Sequence, residues 1–252
     1  MTTNSPIILQ KAKSAGDINI HLITSKKDLD AIAEVKDLKK KIAERVGDGE
    51  LVFSVPSAKG LTIIAKIKKE TETSYRFQSA RALGAKLKKV LNGEKAEKAS
   101  LISSADREDT LAVVEGIVLA NYQFLIYKTG ERNKPNTLKN LGVKAEGVSE
   151  QDLKEVHDVA VGTFAARDFV NEPVITLSAT EWSKRITKLG KDTGFKTTVL
   201  DKKKIEALRM GGLLGVNKGS VEPPTFNILE WKPKNAKNKK PIVLVGKGVV
   251  YD

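Results

Sequence analysis

Residues 15–148 alternate short β-branched, apolar runs with amphipathic segments of helical period, and this pattern restricts the fold more than any other feature of the chain. DINIHLI (17–23), ELVFSVP (50–56), LTIIAKIKK (61–69), KASLISS (98–104) and LGVKAEGV (141–148) have the composition of strands. The second is expected to end at Pro56, which cannot donate to a ladder. SYRFQSARALGAKLKKVLNG predicts a helix whose buried face is Phe77, Ala80, Leu83, Leu87, Val90 and Leu91. ADREDTLAVVEGIVLANYQFLIYK predicts a longer one with acids in its first turn, where they complement the helix dipole. SKKDLDAIAEVKDLKKKIAE has a weaker helical register on Leu29, Ile32, Val35 and Leu38. Strands alternating with helices indicate an α/β layer domain over residues 1–148.

A second domain is expected over residues 149–252. Ser149 and Asp152 form a Ser-x-x-acid helix start, and Asn171-Glu172-Pro173 stops that helix because the residue before proline avoids helical backbone. Ser178 caps a following helix that Gly190 or Gly194 closes. FKTTVLD, TFNILEW and PIVLVG read as strands, DKKKIEALRM as a helix, and MGGLLGVNKGS as a glycine loop. GKGVVYD follows directly on an apolar strand, so the sequence reads as cut inside a larger domain.

Composition narrows the chemistry. The 252 residues contain no Cys and two His, which removes disulfides, thiolate metal sites and Cys nucleophiles together. His21 and His157 cannot build an imidazole-rich metal site, and G-x-S-x-G is absent. No run approaches the ~20 apolar residues that cross a bilayer, so a soluble cytoplasmic protein is expected. VGKG is not a phosphate loop, because Gly248 stands where the magnesium-binding hydroxyl belongs and Pro241 where the first glycine belongs. The net charge of +13 is spread over KKK (39–41), KLKK (86–89), KKK (202–204) and five lysines between Lys232 and Lys240. None of these carries interleaved aromatics, so solvated surface is favoured over a nucleic-acid-binding module. Lys247 and Asp252 lie just past a strand, where α/β proteins place ligands. A carboxylate and a deprotonated lysine amine can both bind a divalent ion, but two ligands do not make a site.

MGGLLGVNKGSVEPPTFNILEWKP followed by KKPIVLVGKGVVYD resembles the segment that opens the active site of the leucyl (cytosol) aminopeptidase family. DFVNEPVITLSATEW, DKKKIEALRMGG and EGIVLANYQFLIYKT carry the similarity toward the N-terminus. The chain departs from the family pattern at Ser178-Ala179 (usually Thr-Pro), Trp231 (Tyr) and Tyr251 (Phe). The resemblance implies a three-layer α/β, macro-like N-terminal domain followed by an incomplete α/β peptidase domain. It implies a metal-dependent exopeptidase that removes leucine-type N-terminal residues from peptides, with two divalent ions (zinc, manganese or magnesium) and a bicarbonate. It also implies a hexamer. By the same resemblance Lys247 and Asp252 match two metal ligands. The family's second lysine, its Asn-Thr-Asp-Ala-Glu-Gly-Arg motif and its bicarbonate-binding arginine have no counterpart in the 252 residues, so the chain alone is expected to be inactive, its catalytic residues lying beyond Asp252. A nucleic-acid-binding module or a catalytically dead assembly partner are the alternatives.

Overall fold

The computed structural model describes residues 6–12, 18–45, 51–57, 60–68 and 70–249. They form two compact units, 1–168 and 169–252.

The first unit is built on one sheet. Its strands are β1 (Ile8–Lys11), β2 (Ile18–Ile23), β3 (Leu51–Ser57), β4 (Gly60–Lys66), β5 (Lys98–Ser103) and β6 (Asn140–Lys144). They stand in the order β1-β6-β5-β2-β4-β3, all parallel except the β3–β4 hairpin. β1 is not predicted by sequence pattern, because four residues with one apolar pair carry almost no periodic signal. Pro56 does not end β3, which runs on to Ser57. The strand lies at the sheet edge, where a residue without an N–H can face the open side at no cost to the ladder.

Helices cover both faces, giving three layers. On one side α2 (Thr73–Gly93) and α3 (Arg107–Ala120) pack with the sheet around Leu22, Ile63, Leu83, Leu87, Leu101 and Ile117, all essentially fully buried. The face expected for α2 is the buried one, with Phe77 and Val90 at its margin. On the other side Leu29, Ile32, Val35 and Ile42 meet Ile23, Val55 and Ile64. The segment carrying them is not one helix. It consists of two 3₁₀ stretches, Lys26–Ala31 and Ala33–Leu38, and then α1 (Lys39–Arg45). Ile32 lies between the two stretches in extended backbone, which breaks the helical register that its apolar spacing suggested.

α3 begins as expected, with Asp106 accepting a hydrogen bond from the Asp109 N–H and Glu108 and Asp109 in the first turn. It stops at Ala120, well short of the expected end. Asn121 takes over the termination: its amide donates to the Leu138 carbonyl, and its own carbonyl accepts from Asn136. These bonds from a loop distant in sequence compete with helix continuation into an aromatic stretch of modest helix propensity.

α4 (Glu150–Asn171) starts with the reciprocal cap expected of Ser149 and Asp152, each accepting from the other's backbone N–H. The expected domain division falls before this helix, whereas the compact units divide near its end. Leu153, Val156, Ala160 and Phe164 pack into the first unit's core, and Arg107 at the start of α3 forms an ion pair with Asp152. That guanidinium and the Ser149 N–H and hydroxyl hold the Asp152 carboxyl well below the ordinary range.

The second unit contains α5 (Ala179–Thr193), β7 (Lys196–Leu200), α6 (Lys202–Ala207), α7 (Gly211–Asn217) and β8 (Phe226–Glu230). Ser178 caps α5 by accepting from the Glu181 N–H, and Gly194 closes it at φ +88°, a conformation that a Cβ disfavours. β7 and β8 pair antiparallel, with Leu200 opposite Phe226. The glycine segment expected as a loop is the short helix α7. PIVLVG, expected as a buried strand, forms no strand among the described residues, and Ile242, Val243, Leu244 and Val245 are 73–92% exposed. Apolar composition alone does not make a strand; a ladder partner does.

Candidate metal centre

Three places hold groups that could do chemistry: the ends of the parallel strands, the two histidines, and the segment around Lys247.

In open α/β sheets ligands gather where neighbouring strands send their chains in opposite directions. Here that point lies between β2 and β5, and the side chains of the protein itself fill it. Asp28 accepts hydrogen bonds from the backbone N–H of Thr24 (2.8 Å) and of Ser25 (3.0 Å) and from the hydroxyls of Thr24 (3.0 Å), Ser25 (3.1 Å) and Ser104 (2.8 Å). Burial opposes ionisation of this carboxyl, but the donors outweigh it and lower its pKa to about 2. A carboxylate already occupies the backbone donors that an anionic ligand would need. Because the folded pKa is depressed, the stabilisation is complete above the ordinary Asp value near ~4 and is lost as pH falls toward 2. Asp28→Asn is therefore expected to cost stability at pH 7 and to flatten the decline of stability between about pH 4 and 2, measured by urea unfolding across pH. An unchanged acid limb would remove Asp28 from this role.

His21 lies within β2 and is half-buried; burial lowers its pKa, with partial opposition from Glu34. The Nδ1 of His157 lies 3.3 Å from the Ile7 carbonyl. Among the described residues neither histidine hydrogen-bonds a serine hydroxyl or a carboxylate.

Lys247 is exposed and sits in irregular backbone between Pro241 and Val249, while Asp252 lies outside the described residues. The pair picked out in the sequence is thus not brought together by the described part of the structure. Among the described residues no three or more His, Cys, Asp or Glu cluster closely enough to hold a metal ion. A lysine amine must lose its proton to coordinate, which requires a site that penalises the ammonium. Of the pair only Lys247 lies among the described residues, and a divalent ion takes further ligands from elsewhere.

The second unit has one further feature that sequence spacing concealed. An open cavity of about 600 Å³ is bounded by α5, the end of β7, the start of α6 and the turn before β8, with Lys184, Lys188, Lys191 and Lys202 at its walls. The spacing of the three lysines on α5 was legible, but Lys202 joins them only through the fold.

The fold defines a class: a unit built on a six-stranded α/β sheet, followed in the chain by a smaller α/β unit with a two-stranded sheet. Residues 164–252 match the sequence model of the cytosol aminopeptidase family, catalytic domain. A probable cytosol aminopeptidase of Chlorobaculum tepidum is 42% identical over 152 residues, covering 56% of this chain and 30% of the relative. One from Chlorobaculum parvum is 57% identical over 88 residues, covering 35% of this chain and 17% of the relative. The chain thus spans about a third or less of these relatives. A tomato leucine aminopeptidase mutant superposes over 95% of this chain and 54% of its own length at a TM-score of 0.74 and 15% identity, which shows the shared fold. The bottromycin maturation enzyme BotP, in a complex with Mn, matches 87% of this chain and 46% of its own at 0.67 and 25% identity. Over residues 164–252 this chain is thus similar to the catalytic domain of the cytosol aminopeptidases.

Proposed function

We propose that this protein works as a metal-dependent aminopeptidase, removing leucine-type residues from the N-termini of peptides in the cytoplasm. The observation that carries this reading is the catalytic-domain match over residues 164–252, which includes the VGKGVVYD run. Within that run Lys247 and Asp252 are two of the ligands for a pair of divalent ions. Zinc, manganese or magnesium would serve; BotP, which is bound to Mn in its complex, supports the general choice of a divalent ion. When bound, such ions polarise a carbonyl and activate water for attack. The remaining ligands belong to the rest of a catalytic domain, as does the site for bicarbonate, and the assembled enzyme is a hexamer. The N-terminal domain of this reading spans residues 1–148 and the catalytic domain starts at residue 149, the cap of α4, although α4 packs largely with the first unit.

The test joins residues 1–252 to the remainder of the catalytic domain of the Chlorobaculum tepidum relative. That chimera is expected to hydrolyse leucine p-nitroanilide, to lose the activity to a chelator and to regain it with Mn²⁺. Lys247→Ala in the chimera is expected to lower metal content and to reduce the rate by about 100-fold or more, since even residues that only support a ligand cost that much. The 252-residue chain alone, which lacks the acidic motif, is expected to stay at background. Metal-dependent turnover by the chain alone, or full metal content in the Lys247→Ala chimera, would overturn the ligand assignment.

A further inference from the structure

The cavity on the second unit combines cationic walls with an apolar floor. Lys184, Lys188 and Lys191 occupy one face of α5 at helical spacing, and Lys202 opens α6 across from them. Two of these cations are partly neutralised: Lys184 lies 3.6 Å from Glu181 and Lys188 lies 2.9 Å from Asp192. Lys191 and Lys202 have no ion pair among the described residues. Among the described residues the only acid lining the cavity is Asp201, and its carboxylate is engaged as the cap of α6, accepting from the Lys204 N–H at 3.0 Å.

Val199, Pro223 and Pro224 supply the floor. The walls are held in place, because the Ser183 hydroxyl donates to the Thr225 hydroxyl at 2.8 Å and so ties α5 to the turn before β8. α5 also presses on the β7 side: a Cβ on Gly190 would come within 2.7 Å of the Thr197 hydroxyl. One polar group at the wall is unanswered. The Oγ1 of Thr180 is buried and has no hydrogen-bond partner among the described residues, and such a group ordinarily finds one.

We propose that this cavity binds a small organic anion, with a phosphate or carboxylate head between Lys191 and Lys202 and an apolar body on the floor. Its volume falls within the ~300–1,000 Å³ of small-molecule sites. Lysine is a point charge that suits either head group, and its aliphatic stem extends the apolar surface below the ammonium. Lys247 does not line the cavity, so the proposal stands apart from the peptidase reading and does not depend on metal.

The experiment uses the 252-residue chain and three probes: 1-naphthyl phosphate, 1-naphthoate and inorganic phosphate, followed by equilibrium dialysis and by amide chemical shifts. One or both naphthyl anions are expected to bind more tightly than inorganic phosphate, more weakly as salt is added, and with shifts centred on Thr187 and Val199. Which naphthyl anion binds better assigns the head group. Lys191→Glu with Lys202→Glu is expected to weaken binding by about tenfold or more, because it reverses the two unpaired charges. Lys237→Glu with Lys239→Glu changes net charge equally away from the cavity and is expected to change affinity less than twofold. Circular dichroism of both variants verifies the fold. No binding of either naphthyl anion at 1 mM, or equal losses in the two double variants, would overturn the proposal.

Discussion

Gly116→Ala is expected to destabilise the first unit by about 3 kcal/mol and to lower its thermal midpoint by roughly 10 °C. The cause is the crossing of α2 and α3. A Cβ on Gly116 would lie 2.1 Å from the Arg81 carbonyl oxygen and 2.7 Å from its Cα, and one on Gly84 would lie 2.2 Å from the Val113 carbonyl oxygen. These obstacles are backbone atoms of a packed helix, so no side chain can rotate away; the helices must separate. Separation opens gaps along Leu83, Leu87, Val113 and Ile117, all at most 1% exposed, and tightly packed interiors tolerate such gaps poorly. The Arg81–Glu115 ion pair (2.7 Å) beside the crossing is too exposed to resist. Gly93→Ala is the control. Nothing lies within 4 Å of its Cβ position, so it is expected to be neutral or to stabilise by up to about 1 kcal/mol through helix propensity. Thermal and urea unfolding of both variants separate the readings; equal midpoints would show that the crossing has slack.

Arg185→Ala is expected to cost the second unit about 3 kcal/mol. Glu172 follows α4, and its side chain is only 6% exposed. Its carboxylate accepts from Arg185 Nη1 at 2.8 Å and from the Thr176 hydroxyl at 2.8 Å, while Arg185 also reaches Glu181 at 3.3 Å. Glu172 is the principal cause of the raised pKa of that guanidinium. Removing Arg185 leaves a buried carboxylate without its cation, and that desolvated charge, rather than the lost attraction, dominates the cost. The effect is amplified by a thin core, because Ile186 and Ile205 are the large buried apolar side chains of this unit among the described residues. Adding Glu172→Gln to Arg185→Ala is therefore expected to recover more than half of the loss. Hydrogen exchange of the α5 amides reports the local stability; losses that add in the double variant would show that the two groups act independently.

These two sites mark the limits of what could be read before the fold. Helix ends were legible because capping is a local exchange between a side chain and a backbone N–H a few residues away. Ser149 with Asp152, Ser178 with the Glu181 N–H, and Gly194 at positive φ all satisfy it. The buried stripe of α2 was legible because period alone places Ala80, Leu83 and Leu87 on one side. The VGKGVVYD run was readable as a family signature, but the metal geometry was not. The exposed Lys247 shows that a motif names donors without assembling them.

The amino-acid sequence by itself thus determined the α/β class, the helix caps and the buried helix face, all properties of neighbouring residues or of short-range backbone preference. Tertiary structure alone decided the sheet order, the passage of β3 through Pro56, the end of α3 at Asn121, the packing of α4 with the first unit, and the gathering of Lys202 with the lysines of α5. The physical reason is common to them all. Each depends on desolvation, close contact or a hydrogen bond between segments far apart in the chain, and those energies exist only once the segments have met.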